Sequence, residues 1–330
     1  MNPICTIAIP VYNRYDIVPR ALDSVLSQEV EDIEILVVDN CSTDRTWEVL
    51  QRYRDRRLRI IRNQSNVGLF GNFNRCLSLA KGKYLRILCS DDRLIKNCLV
   101  SEIKYMEEYT KASVLTTRSL HVNQFNKPLL IGAGHLKPGI YEGKKMICNA
   151  LWIQAYYGDN PFNFPSGILM RRDVVVKCGY FDENLKSVAD MDYWLRLLEH
   201  GDLIASPDIG CEIIEHPGRE AHHLFLEGHL MSDQFDMVKH REIFLRSFDK
   251  HLYQNIMYQM AGRCLWYVLK TFCMGQRRSA YIHLAMIKKR RLSYVIAMIA
   301  LGRHVAIRLY QKIANRRYTL FNSCRPIPNI

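Results

Sequence analysis

The chain has 330 residues, 48% hydrophobic and 24% charged, which excludes a disordered or fibrous protein and allows one large domain with an appendage. Its formal net charge of +13 is unevenly placed: from His251 onward there are 14 lysines and arginines and no acidic residue, so the first 250 residues are close to neutral. Eleven cysteines scattered from Cys5 to Cys324 form no CxxC pair, which argues against a disulfide framework and for reduced thiols packed as small hydrophobes.

Met1-Asn2-Pro3 carries neither the basic start nor the apolar run of a secretory signal, so a cytoplasmic protein is expected. Thr6 to Ile9 predicts an apolar strand ending at Pro10. A helix follows through Ala21, Leu22, Val25 and Leu26, with Pro19 tolerated in its first turn. Ile33 to Val38 predicts a second buried strand, Asn40 to Asp44 a turn with helix-capping chemistry, and Trp47, Leu50 and Tyr53 one face of a helix. Leu58 to Ile61 predicts a third strand and Asn66-Val67-Gly68 a turn, with Phe70, Phe73, Leu77 and Ala80 then at helical spacing. Tyr84 to Leu88 predicts a fourth strand, stopped by Ser90-Asp91-Asp92. Beyond it come a helix near Leu94 to Tyr109, a strand near Ser113 to Thr117, and a loop-rich stretch without period to about Pro165. Gly167 to Arg171 reads as a strand and Met191 to His200 as a helix, and from about Asp249 the composition becomes helical. The alternation implies an α/β fold with a doubly wound, largely parallel sheet and a helical C-terminal extension.

Open α/β sheets bind ligands beyond the carboxyl ends of their strands. Polar groups collect there: Pro10-Val11-Tyr12-Asn13 after the first strand, Asp39-Asn40 after the second, Asp91-Asp92 after the fourth. Each alone has an ordinary explanation, because an Asp after a strand commonly caps the next helix and paired loop carboxylates are commonly solvated. Three strands delivering such groups to one edge suit the handling of a nucleoside diphosphate. Asp39 can accept a hydrogen bond from the imide N–H of a uracil or thymine ring. Asp91 and Asp92 offer hard oxygen ligands to Mg²⁺ or Mn²⁺, which would neutralise charge on a departing diphosphate. There is no Walker GxxxxGK[ST], GxSxG or HExxH motif, and Lys137 stands where Gly132-Ala133-Gly134 would need a third glycine to bind a dinucleotide.

Taken in order, TIAIPVYNR (Thr6 to Arg14), EILVVDNCSTDRT (Glu34 to Thr46), NVG (Asn66 to Gly68), AKGKYLRILCSDD (Ala80 to Asp92), YFDENL (Tyr180 to Leu185) and ADMDYWLRL (Ala189 to Leu197) resemble the inverting family-two glycosyltransferases of the GT-A fold, including those of bacterial cell-surface polysaccharides. The resemblance covers roughly residues 4–220. It implies that Pro10, Tyr12, Asn13, Asp39, Asn66 and Asp91 line a nucleotide pocket, that Asp91 and Asp92 hold a divalent cation, and that Asp190 is the catalytic base. It places Ser166, Gly167 and Trp194 on the acceptor side and His216 near the diphosphate or metal. Two departures stand out: Cys89 occupies a place often acidic in relatives, leaving only Asp91 and Asp92 for the metal, and Ala189-Asp190 replaces a Glu-Asp pair. Apart from the family, Asp190 and Asp192 open a helix, where the dipole favours carboxylates, so Asp192 is read as structural. Asp190 is read as the base an inverting transfer needs. A tryptophan such as Trp194 is more often part of the core than a sugar platform, and a lone loop histidine such as His216, His222 or His223 suits a plain surface.

The implied domains are a catalytic domain over 1–245, with a nucleotide half (1–110) and an acceptor half (111–245), and a basic helical region over 246–330. Lys288-Lys289-Arg290-Arg291 precedes the apolar run Leu292 to Leu301, whose ten residues span about 15 Å as a helix, half a hydrocarbon core. Tyr294, Val295, Ile299, Ala306, Tyr310 and Ile313 share a side of the helical wheel, so residues 251–330 are expected to lie on an anionic membrane surface at the inner face of the cell membrane. Each basic residue there contributes about 1 kcal/mol. With a nucleotide-sugar donor, this points to a lipid-linked saccharide acceptor. A nucleic-acid-binding module would explain the basic end, but not acidic residues on one edge that repel phosphate. A glycoside hydrolase would use two carboxylates but has no use for the strand-end nucleotide motifs.

Overall fold

The computed structural model describes residues 2–123, 125, 127–132, 136–158, 160–215, 229–290 and 293–313. The chain folds as two compact units. One comprises Met1–Met146, Phe162–Glu183 and Ala189–Pro217, and the other Ile147–Pro161, Asn184–Val188 and Gly218–Ile330.

The first unit is built on β1 (Cys5–Val11) and β2 (Ile33–Asp39), parallel neighbours buried at every position. Their near-unbroken apolar runs are what central parallel strands, covered on both faces, require. β3 (Leu58–Arg62) pairs with the outer side of β2, and β4 (Tyr84–Ile87) with the free side of β1, both parallel. The crossovers carry α1 (Val18–Leu26), α2 (Thr46–Leu50) and α3 (Leu69–Leu79). α1 buries Val18, Ala21, Leu22 and Val25, a stripe at i, i+3, i+4 and i+7, and has proline at its start, where an N–H would lack an intrahelical acceptor. At Gly82, before β4, a Cβ would stand 2.4 Å from the Thr6 backbone nitrogen, so only glycine lets that turn close against β1.

The full sheet runs β3-β2-β1-β4-β9-β6-β10-β5. β6 (Ala112–Asn123) and β10 (Asp202–Glu215) are parallel to each other, whereas β9 (Ile168–Arg171) and β5 (Arg93–Leu94) run against their neighbours. β7 (Pro128–Gly132) is antiparallel to β6, and β8 (Gly139–Tyr141) to β10. The sheet is mixed and largely parallel, as the sequence implies. From β1 the chain winds outward to β2 and β3, then returns to the other side of β1 for β4. The order reverses between β1 and β4, the crevice where such sheets bind ligands.

Three stretches depart from the sequence reading. The expected helix near Leu94 is β5 followed by α4 (Cys98–Glu108), which Asn97 precedes in a left-handed conformation. The stretch read as loop to Pro165 contains the end of β6, β7, β8 and α5 (Gly143–Tyr157). α5 buries Met146, Ile147, Cys148, Ala150, Leu151 and Ile153, consecutive positions included, so it has no polar face to give a helical period. After α6 (Arg172–Cys178) and α7 (Ala189–Leu198), the 14-residue β10 was not expected. Pro207, Asp208 and Gly210 punctuate it, and its register shifts between Ala205 and Ile209 and again between Ile209 and Cys211.

The second unit is helical: α8 (His229–Lys239), α9 (Glu242–Phe248), α10 (Leu252–Cys273), α11 (Arg277–Lys289) and α12 (Tyr294–Ile313), of which the last three fall in the stretch from about Asp249 whose composition predicts helices. α10 packs against both α11 and α12. Where it crosses α12, a Cβ on Gly262 would lie 2.6 Å from the Ala300 backbone carbon and from the Leu301 nitrogen. Gly262→Ala is therefore expected to lower stability by about 1–3 kcal/mol in thermal unfolding of the full chain. Helix propensity alone would raise it by about 1 kcal/mol, so the sign of the change decides whether this crossing is tight. Among the described residues no helix is long and apolar enough to cross a membrane.

Candidate active site

Asp39 ends β2, opposite Val11 of β1 in the parallel register, and is fully buried. Its Oδ1 accepts the Ser42 backbone N–H at 3.2 Å and the Ser42 hydroxyl at 2.5 Å. Its Oδ2 lies 3.1 Å from Arg62 Nε and receives no hydrogen bond from the described residues. A buried carboxylate oxygen with a lone pair to spare suits a ring N–H donor.

The loop after β1 is braced against the loop after β2. Asn13, with φ of 51°, is one of three non-glycine residues with positive φ among those described. Its backbone N–H donates to Ser42 Oγ at 2.9 Å and its Oδ1 accepts the Thr43 N–H at 2.9 Å, while the Arg14 N–H reaches Thr46 Oγ1 at 2.8 Å. Pro10 is buried, and Tyr12 is 39% exposed at the mouth. Asn66 is exposed, and its Oδ1 accepts from Asn40 Nδ2 and from the Gly68 N–H, both at 2.8 Å. Asn40 Oδ1 in turn accepts from Asn63 Nδ2 and the Val67 N–H, so Asn66 belongs to an amide network that shapes the β3–α3 turn.

The chain after β4 carries the acidic motif. The Leu88 N–H donates to Ala8 O at 2.8 Å, keeping the extension beside β1, and Cys89 to Asp92 follow at its end. The Cys89 thiol and the Asp91 and Asp92 carboxylates have ligand atoms within 4.8 Å of one another. Asp91 is partly exposed, whereas Asp92 is 3% exposed and anchored: its Oδ2 accepts the Ser166 hydroxyl at 2.5 Å, and its Oδ1 the Ile214 N–H of β10 at 3.4 Å. Ser166 Oγ also accepts the Cys89 N–H at 3.0 Å. Two carboxylates converging with a thiol fit a divalent cation, since each carboxylate offers about four lone-pair sites. β1 separates β2 from β4, so two inter-strand steps, roughly 10 Å, lie between the Asp39 end and the acidic cluster.

Asp190 enters from a different element of the same unit, the first turn of α7. Its Oδ1 accepts the Met191 N–H at 2.7 Å. Burial raises its pKa to about 6 against the opposing effect of backbone hydrogen bonds. Asp192 is clamped by Arg196 at 2.9 Å, and Arg196 also donates to the Cys178 and Tyr180 carbonyls at 2.9 and 2.7 Å, tying α7 to the end of α6.

The three positions expected on the acceptor side, Ser166, Gly167 and Trp194, are all buried. Ser166 holds the Asp92 carboxylate, and a Cβ on Gly167 would lie 2.0 Å from Asn163 Nδ2, so this turn supports the acidic motif from beneath. Trp194 is wholly buried against Phe181 and Tyr193 and packs the core. His216 lies outside the described residues, as do His222 and His223. Sequence reading missed Arg62, whose partner Asp39 sits one strand away. It also took Cys89 as a lost ligand, although the thiol stands within the acidic cluster.

Residues 6–179, more than half of the chain, match the family described as Glycosyl transferase family 2. The chain belongs to that family. This family 2 glycosyltransferase is 36% identical over 104 residues to the UDP-Glc:alpha-D-GlcNAc-diphosphoundecaprenol beta-1,3-glucosyltransferase WfaP of Escherichia coli, a match covering 32% of this chain and 41% of WfaP. Matches to the first curated relatives span 41% to 65% of their own lengths. Its fold is similar to that of S. aureus TarS 1-349 solved with UDP-GlcNAc, with a TM-score of 0.59 and 17% identity over 88% of this chain and 93% of that one. It is also similar to the mannosyltransferase PcManGT of Pyrobaculum calidifontis solved with GDP-Man and Mn²⁺, with a TM-score of 0.54 and 17% identity over 98% and 85%. At such identities the likeness establishes the GT-A type of fold.

Proposed function

We propose that this glycosyltransferase acts in the synthesis of a cell-surface polysaccharide, moving a sugar from a UDP-sugar to a lipid-linked saccharide with inversion at the anomeric carbon. The observation that carries the proposal is the pair of sites flanking β1: a buried Asp39 with an oxygen free of hydrogen bonds from the described residues on one side, and the Cys89, Asp91 and Asp92 cluster on the other. Asp39 would take the ring N–H of the base, with Pro10, Tyr12, Asn13 and Asn66 shaping the pocket. Asp91 and Asp92 would hold Mn²⁺ or Mg²⁺, which supplies electrophilic stabilisation of the diphosphate as it leaves. The acceptor hydroxyl oxygen forms the new bond to the anomeric carbon as the bond to the diphosphate oxygen breaks, and Asp190 takes the hydroxyl proton. With a pKa near 6, Asp190 is ionised at neutral pH yet basic enough to accept it.

The UDP donor and the lipid-linked acceptor are supported by the name of the E. coli relative, a nucleotide-sugar by the ligands bound to the two structural neighbours, and a metal by the Mn²⁺ bound to PcManGT. Residues 1–110 would then serve the nucleotide, 111–245 the acceptor, and 246–330 a peripheral attachment to the inner face of the membrane. Support for that attachment is chemical: Met298 and Ile299 of α12 are 57% and 58% exposed within a stretch that has 14 basic residues and no acidic ones.

Purified full chain with Mn²⁺ is expected to hydrolyse its cognate donor slowly in a panel of UDP-, dTDP- and GDP-sugars. Asp92→Ala is expected to lower that rate by about 10²- to 10³-fold. Asp91→Asn, at the more exposed position, provides a second test that leaves the Ser166 bond intact. Unchanged turnover in both variants would remove the metal assignment.

A further inference from the structure

A second concentration of chemistry lies in the helical unit, at the turn joining α10 to α11. α10 is followed by Gly275 at φ of 74°, and the turn is closed by the Gly275 N–H on Phe272 O at 3.0 Å and the Gln276 N–H on Thr271 O at 2.8 Å. These paired bonds fix the direction in which α11 starts. The Arg277 N–H turns back to Gly275 O at 3.0 Å. The next two amides, of Arg278 and Ser279, belong to the first turn and have no intrahelical acceptor. Beside this turn is a cavity of about 750 Å³ lined by His229, Gln276, Arg277, Arg278 and Ser279 among others. Ser279 is 6% exposed, and its Oγ is buried with no hydrogen-bond partner among the described residues.

We propose that this turn is a binding site for a phosphate group, carried by a phospholipid headgroup or by a soluble phosphate. A helix start supplies backbone donors and positive potential, two guanidiniums supply charge and forked hydrogen bonds, and the Ser279 hydroxyl has a donor to give. Among the described residues lining the cavity none is acidic. Phe272 and Met274, 60% and 55% exposed just before the turn, put apolar contact next to the phosphate donors, as a headgroup at a lipid surface requires. The site is distinct from the transfer reaction and rests on the membrane reading only for the source of the phosphate.

The test titrates full-chain protein with inorganic phosphate by calorimetry. In parallel, the protein is sedimented with phosphatidylcholine vesicles with and without phosphatidylglycerol. Ser279→Ala changes no charge, so attraction to the net field of the chain is untouched by it, and donor hydrolysis reports that the active site is intact. It is expected to weaken phosphate binding about tenfold. Arg277→Ala with Arg278→Ala should weaken it further, while Lys288→Ala with Lys289→Ala, the same charge change at the other end of α11, should alter it less than about twofold. If Ser279→Ala also releases the protein from phosphatidylglycerol vesicles, the source is a lipid headgroup. If vesicle binding is unchanged while phosphate binding weakens, the site serves a soluble phosphate, and membrane attachment stands or falls separately. No effect of Ser279→Ala on either ligand, or equal losses from the arginine and lysine pairs, overturns the site.

Discussion

Asp190→Asn is expected to abolish sugar transfer while making the protein more stable. Asparagine keeps an oxygen for the Met191 N–H, now bonded at 2.7 Å, but cannot take a proton from an acceptor hydroxyl. Loss of a general base costs about 10²- to 10⁴-fold in kcat. The stability gain follows from the same burial that raises the carboxyl to about 6 from an ordinary 3.8. The folded state binds this proton more tightly than the unfolded state, so the contribution of Asp190 to stability is best below pH 4 and is lost as pH rises towards 6. Above pH 6 the ionised group costs about 2 kcal/mol, allowing for partial screening. Denaturant unfolding of the two proteins should therefore coincide near pH 4 and diverge in favour of asparagine by pH 7. The wild-type kcat/KM should fall tenfold per pH unit below about 6. A variant that keeps its rate and shows no acid limb would assign the base elsewhere.

Arg86→Met is expected to destabilise the first unit by about 3–5 kcal/mol, the cost of stranding a buried charge. Arg86 of β4 and Glu102 of α4 are both fully buried and bonded to each other. Burial pushes the Glu102 carboxyl up and the guanidinium opposes it, so without Arg86 the carboxyl would fold protonated or not at all. Arg86 lies three residues before Cys89, so the damage should also reach donor hydrolysis. Arg86→Met with Glu102→Leu should recover most of the stability, since an apolar pair of similar volume often matches a buried ion pair. Circular dichroism melts of the single and double variants measure this. Equal losses in both would show that packing volume, rather than charge, is at stake.

What the sequence revealed depended on how each element is solvated. β1 and β2 are legible because strands covered on both faces must be apolar throughout, and α1 because one face of it meets the core. α5 is buried along consecutive residues and so carries no period, and β10 hides behind Pro207 and Gly210 because its irregular register accommodates them. In the site, strand-end chemistry located Asp39, Asp91 and Asp92, but it could not rank them by exposure. Asp92 is the inward one because a serine 74 residues away donates to it, and no local pattern announces such a partner. Trp194 is buried, the more common fate of a tryptophan, and packs edge-on against Phe181 and Tyr193.

The outermost strand has a consequence for association. β3 offers an unpaired row of backbone groups, the usual template on which a second chain could extend a sheet. It is only five residues long, and two of them, Arg59 and Arg62, are held by Glu34 and Asp39 of the next strand. An incoming strand would have to settle against fixed guanidiniums and approach the buried Asp39 carboxylate. The ion pairs Arg59–Glu34 and Arg62–Asp39 thus also guard the rim against fibrous self-assembly.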